Sequence, residues 1–600
     1  MFPCKIVCWW EWFKMPRIKI PKASGRPKKR PGHFFGGSKP RKETGGLIGD
    51  SQGRSIASDI FKSLLEDHDP LIVNRIGKLF KKKEKKEQKL LKNTVFAEKL
   101  VVSRHTRESG LAFYIEHRFT KRHYSELVKD NLMRIKKKRT YNVYPSYRTI
   151  REAKKECLPL QIQGTEKEVF TPFQQLANKT SERLCESVAT DWSEQALARV
   201  ELIFSGGFDS ASGHSNSHQK CANPDNECDD STQSMFVSSV TPLQLISKSV
   251  ADSEPYTWRN PTPASYRYCR PLRIAFEKET KETITKEYNR ISSEIDRLRP
   301  HRFRMANGKE VEVIFKCHLT MFDGKCVSSI LQITASQRCP CCGRTTNEFG
   351  KQELNFYVEE GSKCLDLGIA LLHAEIKTFE HLLHLAYRLE IEVWRVSQEY
   401  RDRFDAWRAI TIEDVRKEFG IRPDQVLQGH GTTNTGNLAR RCFKEPQKFA
   451  AALKLDESFV TDLADILILF KTKKRVDYTL LEEYCWRVYW EHYELYPWAH
   501  MNVSIHKLLM HGCQVAKKLP LPICYFSEDS QEVWHKFYRR NMVEHARQFS
   551  KAAQILDVYH RGLYESDPLI SNILQGQRSK YLEKRQIPQR LAKYILPRYV

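Results

Sequence analysis

The chain has 600 residues, with 99 Lys and Arg against 73 Asp and Glu, a formal net charge of +26. A chain of this length can bury a sizeable core in several domains without disulfide staples. Its cationic surplus favours a polyanionic partner, nucleic acid before an anionic membrane surface, and no apolar run approaches the roughly 20 residues that a membrane span needs.

The stretch Met1 to Lys14 is apolar and Trp-rich, too short and too aromatic for a signal peptide. Met15 opens the basic run MPRIKIPKASGRPKK and is read as the true start. Residues 1–95 are rich in Lys, Arg, Gly and Pro and are expected to be a basic, largely disordered segment. Within it Gly25-Arg26-Pro27 has the form of a peptide that slides Arg26 into a narrow A·T minor groove. A nuclear-import signal fits the same residues. The run KKKEKKEQKLLK from Lys81 reads as a solvated helix. Of 17 cysteines most are scattered, which points to reduced thiols and metal ligands. The expected compartment is the nucleus.

Residues 96–195 alternate apolar and basic positions and read as a helical DNA-binding or dimerisation region. RVELIFSGGFDS, from Arg199, predicts a strand that ends at Asp209. A polar loop follows, then a second apolar stretch from Met235 to Leu245, and an amphipathic helix over Arg273 to Arg299. VEVIFKCHLTMFDGK alternates apolar residues from Val311 to Leu319, the pattern of a half-buried strand ending at Asp323. Beyond Leu354 the chain reads as mostly helical. Glu532 lies on a last charged helix, with Lys536, Arg539 and Arg540 on or near its face, where the acid would hold a metal and the cations steer a DNA phosphate backbone.

A strand-end acid beside a Gly-permissive turn is ordinarily a turn or cap residue, and a charged helix ordinarily an ion-paired surface. Three such acids gain meaning together. Two Mg²⁺ ions about 4 Å apart can activate the nucleophile and stabilise the leaving oxygen of a phosphodiester, and Mg²⁺ takes hard oxygen ligands such as these. Separately, Cys339 and Cys342 have the spacing of half a zinc site, and His506 and His511 supply a histidine pair; Cys341 could replace a neighbour. His214, His218, Cys221 and Cys228 read as a polar loop. In GTTNTGNLARRCF, from Gly431, Asn437, Arg440 and Arg441 suit phosphate contact near a helix start, and a helix cap followed by a solvated face fits equally.

Taken together, GFDSASG, FDGK, CPCC, LHAEIK, TTNTGNLARR, IHKLLMH and SEDSQEVWHK, in this order between Arg199 and Ile573, resemble the Transib transposases and the related catalytic subunit of the vertebrate V(D)J recombinase. The resemblance implies an α/β fold: an RNase H-like catalytic core split by a large all-helical, zinc-bound insertion. The corresponding domains are 196–345 for the first part of the core, 346–522 for the insertion, and 523–600 for the glutamate helix and tail. It implies Asp209, Asp323 and Glu532 as Mg²⁺ (or Mn²⁺) ligands, Glu532 being preferred to Glu528 through its match at Lys536. It also implies Zn²⁺ on Cys339, Cys342, His506 and His511, a supporting histidine at His373, and DNA contacts at Asn437, Arg440 and Arg441. The implied reaction is cut-and-paste transposition: nicking, hairpin formation and joining of double-stranded DNA ends by a homodimer, with an accessory protein possible. Ser210 departs from the recombinase, which has glycine there. A domesticated descendant that binds DNA without cutting it is the alternative.

Overall fold

The computed structural model describes residues 105–131, 133–135, 139–189, 197–212, 234–249, 257–335, 337–423, 434–578 and 587–597. Arg26, Met15, the Lys81 run and the His214–Cys228 loop lie outside the described residues. Chain contacts divide the protein into two units, 1–153 with 576–580, and 154–575 with 581–600.

In the first unit, helices α1 (Arg107–Glu116) and α2 (Lys121–Asp130) each start at a threonine. Thr106 and Thr120 accept hydrogen bonds from the backbone N–H groups of Ser109 and His123, satisfying donors that a helix start leaves open. Strands β1 (Met133–Ile135) and β2 (Arg139–Tyr141) form an antiparallel hairpin, followed by α3 (Tyr147–Glu156), in which the unit ends at Ala153. An aromatic cluster fills the centre. Phe113 stacks on Tyr144 at 4.8 Å and Tyr114 meets Tyr124 edge-on at 5.4 Å.

The second unit is built on a mixed sheet. Its strands are β3 (Gln163–Gly164), β4 (Glu168–Phe170), β5 (Arg199–Ser212), β6 (Ser234–Ser247), β7 (Trp258–Arg259), β8 (Arg270–Ala275), β9 (His301–Arg304) and β10 (Glu310–Met321). The order is β3-β4-β8-β6-β5-β10-β9, with β7 added to β6. Only β5 and β10 run parallel; the other pairs are antiparallel. Helix α4 (Phe173–Val188) and helix α5 (Lys281–Asp296) cover the sheet, and the short α6 (Gly324–Ile330) follows β10.

Among the described residues no strand follows β10, apart from two isolated bridges. The chain continues through α7 (Lys363–Asp366), α8 (Leu371–Ala386), α9 (Arg401–Phe419), α10 (Gly436–Cys442), α11 (Pro446–Leu453), α12 (Glu457–Lys471), α13 (Tyr478–Leu495), α14 (Val503–His506) and α15 (Gly512–Lys517). These helices share one apolar core, with Phe379, Phe449, Val488 and Leu508 fully buried. Helices α16 (Asp529–Glu544), α17 (Lys551–Glu565) and α18 (Pro568–Arg578) complete the order. The first two return to the sheet's core: Trp534 Nε1 donates to the Cys269 carbonyl at 2.6 Å and the Tyr559 hydroxyl to the Leu272 carbonyl at 3.1 Å. The described helices include none long and apolar enough to cross a membrane.

Three local expectations change. The strand before Asp209 does not end there but runs on to Ser212, because β6 keeps pairing with it through Ser234; a Ser/Gly-rich sequence does not stop a strand whose antiparallel partner continues. Arg273 does not open a helix. Arg270–Ala275 is β8, paired with β4 and β6, and the helix begins only at Lys281 behind its Thr280 cap. Finally, residues 157–189, expected to belong to a helical region ending at 195, give the sheet two strands and α4. Strands of two and three residues are too short to leave an alternating pattern.

Candidate metal centres and active site

One glycine sets the first site. A Cβ at Gly207 would lie 2.0 Å from the Met321 carbonyl oxygen, so only glycine lets β5 approach the end of β10 this closely. Gly207 pairs with Met321, the last residue of β10. Asp209 therefore lies just beyond the point where β10 ends, still paired with Val237 of β6. Asp323 caps α6, its Oδ1 accepting from the Cys326 N–H at 2.7 Å. The cap and the charged site thus use the same side chain.

Glu532 comes from α16. Its burial in the sheet's core through Trp534, Phe537 and Tyr538 fixes the opposite face toward Asp209. Donor atoms of Asp209, Glu532 and His535 all lie within 4.8 Å of one another, and those of Glu279, Asp323 and Cys326 form a second such group. His535 Nε2 is 2.8 Å from Asp209 Oδ2, and the Ser210 N–H donates to Asp209 Oδ1 at 2.7 Å. His373, on α8, reaches the site from the helical block. Its N–H and Nδ1 both meet Glu528 Oε1, at 3.1 and 3.0 Å, while Nε2 lies 3.5 Å from Glu532 Oε1. Glu528 is buried and occupied by His373 and Ser527, whereas Glu532 is the one of the two grouped with Asp209.

The electrostatics are those of crowded acids. Burial raises the pKa of Asp323, and the charge of Asp209 raises it further; the same two causes, in the same order, raise that of Glu532. Burial would also raise Asp209, but the hydrogen bond and charge of His535 outweigh it and hold this carboxyl below its ordinary value. His373 is opposed by burial, yet the carboxylates of Glu528, Glu532 and Asp323 bring its pKa up to about 9. Repelling oxygen donors half-screened by two imidazoles are a fit for a hard divalent cation, which removes the repulsion.

The four sequence-marked zinc residues come together with their donor atoms within 4.8 Å of one another. Cys342 Sγ lies 3.3 Å from His506 Nε2. The Tyr489 hydroxyl donates to the Phe349 carbonyl at 2.8 Å and stands 2.8 Å from His506 Nδ1. This assigns the ring proton to Nδ1 and leaves the Nε2 lone pair facing the cysteine. His511 Nε2 is buried without a hydrogen-bond partner among the described residues. Two sulfurs and two imidazole nitrogens, one of them buried and orphaned, fit a tetrahedral zinc. Residues five apart diverge around an α-helix, but Lys507–His511 is a single π turn, whose wider winding returns His511 to the side of His506.

The expected DNA contacts divide. Lys536, Arg539, Asn437 and Arg441 are exposed and Arg540 is half-buried. Arg440 is already paired, with Glu375 at 3.0 Å and Asp529 at 3.1 Å. Sequence reasoning missed His535 and Glu279. His535 is one turn from Glu532, a spacing that could have marked it. Glu279, bonded to Lys325 at 2.8 Å and to the Cys326 thiol at 3.2 Å, carries no local signal at all.

No family model matches the chain, and no curated protein matches it. Among solved structures it is similar to a Drosophila P element transposase strand transfer complex, at 10% identity and a TM-score of 0.25, over 82% of this chain and 100% of that one.

Proposed function

We propose that this chain is a divalent-metal-dependent DNA transposase of the Transib type, with an RNase H-like core and a helical insertion held by zinc. The observation that carries the reading is the meeting of Asp209 and Glu532, from β5 and α16, with Asp323, two residues past the end of β10 and grouped with Glu279 and Cys326, close enough for the charge of Asp209 to raise its pKa. Asp209, Asp323 and Glu532 would hold Mg²⁺ or Mn²⁺, which supplies activation of water or a 3′-hydroxyl and stabilisation of the leaving oxygen. His373 and His535 hold the carboxylates in place and carry the compensating protons. Lys536, Arg539 and Arg441 are exposed cations that can take phosphates, and the net charge of +26 gives salt-sensitive affinity for double-stranded DNA. Cys339, Cys342, His506 and His511 would bind Zn²⁺ and fix the block that carries His373. A homodimer pairing two ends, acting in the nucleus, completes the proposal.

The test is incubation of the purified protein with candidate element ends and Mg²⁺, beside Asp323→Ala and Glu532→Gln variants. Nicked and hairpinned DNA from the parent, lowered by at least about 100-fold in both variants, supports the proposal. Binding of the ends by all three proteins, with cleavage by none, would leave a DNA-binding descendant instead.

A further inference from the structure

Arg440 was expected to contact DNA, but its guanidinium is committed inside the protein. Nε lies 3.0 Å from Glu375 Oε2, Nη2 3.1 Å from Asp529 Oδ1, and Nη1 donates to Asn437 Oδ1 at 3.4 Å. Glu375 is 5% exposed and shares its Oε2 with Lys471 at 2.6 Å. It stands two residues after His373 on α8, and Asp529 three residues before Glu532 on α16. The Ser527 hydroxyl is 2.6 Å from the other oxygen of Asp529 and 2.8 Å from Glu528 Oε2, and Glu528 in turn holds His373. These polar contacts, closed into a loop by the α8 backbone between His373 and Glu375, join α8, α10 and α16.

We infer that Arg440 is a positioning residue, which fixes the spacing of α8 and α16 and so the placement of His373 against Glu532; this rests on the role proposed above for Glu532. A planar guanidinium can grip two carboxylates at a set separation, which a lysine point charge cannot. Two acids, Glu375 and Asp529, face two cations, Arg440 and Lys471. Withdrawing Arg440 to a phosphate would leave buried Glu375 with Lys471 alone, at a desolvation cost. The neighbouring Arg441, exposed on α10, has no such ion pair among the described residues and is the better phosphate ligand.

The full chain with Arg440→Gln, Arg440→Lys or Arg441→Gln separates the two roles. DNA affinity is measured against salt without divalent metal, and the nicking rate at saturating DNA and Mg²⁺. Arg440→Gln should lower the saturated rate on the order of 100-fold through misplacement, with DNA affinity and salt slope unchanged. Arg440→Lys should fall between it and the parent. Arg441→Gln should weaken binding and reduce the salt slope by about 1. If Arg440→Gln instead loses affinity and salt slope as Arg441→Gln does, or keeps the parental rate, the inference is overturned. Mn²⁺ binding, followed by electron paramagnetic resonance, gives a readout without cleavage. A parent that binds Mn²⁺ but cuts no DNA defeats the proposed function alone, and about tenfold weaker Mn²⁺ binding in Arg440→Gln would still support its positioning role. Unchanged Mn²⁺ binding would overturn it.

Discussion

His373 is held between two acids with different tasks: Glu528 orients it through two contacts and Glu532 faces its far nitrogen. Its pKa, raised from 6.5 to about 9 against the opposing effect of burial, makes the folded protein bind a proton that the unfolded chain releases near neutrality. The charged contacts therefore stabilise the fold fully below about pH 6.5 and lose that contribution as pH rises through about 9. A His373→Asn variant should be less stable to urea than the parent at pH 6, and the gap should close by pH 10. A gap that stays constant across that range would show that the histidine acts through packing rather than charge. The same residue scale accounts for what the sequence hid. His535 completes the Asp209–Glu532 group, but a histidine on a charged helix is ordinarily unremarkable, and only the packing of Trp534 on the sheet aims this face inward.

At the scale of elements, the parallel pairing of β5 with β10 brings two acids distant in sequence to one end of a sheet. The glycine pair before Phe208 serves that pairing unequally. A Cβ at Gly207 would strike the Met321 backbone, whereas one at Gly206 would first meet the Leu319 side chain at 3.1 Å, which can turn away. Gly207→Ala should destabilise the protein by about 1–3 kcal/mol and reduce any cleavage with it, while Gly206→Ala should cost less. Chemical denaturation of both variants checks the order, and equal losses would mean that close strand approach is not what the second glycine provides. The π turn at Lys507–His511 is a comparable device. It converts a five-residue spacing, unhelpful on an α-helix, into a shared face for two imidazoles.

Across the whole molecule, the described residues of the second unit hold two large apolar cores, one beneath the sheet and one among the helices, and a small cluster of Leu243, Leu521, Tyr525 and Phe526. The candidate zinc ligands sit in the helical core, where Cys339 and Phe349 are fully buried. Metal removal should therefore loosen the helical block before the sheet. With a chelator, or in Cys342→Ser, the first thermal transition should fall by about 10 °C or more, and zinc content by mass spectrometry should drop from about one per chain. An unshifted transition in metal-free protein would argue against a structural metal. The C-terminal residues strengthen the same block: Arg590 pairs through two nitrogens with Asp465, at 2.6 and 2.7 Å, and Leu591 joins the helical core.

What the sequence alone determined is local chemistry and its order along the chain. The paired cysteines and histidines, the alternation before Asp323, the helical character after Leu354 and the cationic surplus are short-range or compositional properties, and each is legible because a few neighbouring residues specify it. Tertiary structure decided which of these meet. It joined the two halves of the cysteine–histidine set, grouped Asp209 with Glu532 and added His535. It drew Glu279 to Asp323, extended β5 past its expected end, and turned Arg440 inward between Glu375 and Asp529. Those outcomes depend on which helix face is buried and which strand ends coincide. Both are set by packing between segments far apart in the chain, where no local pattern reaches.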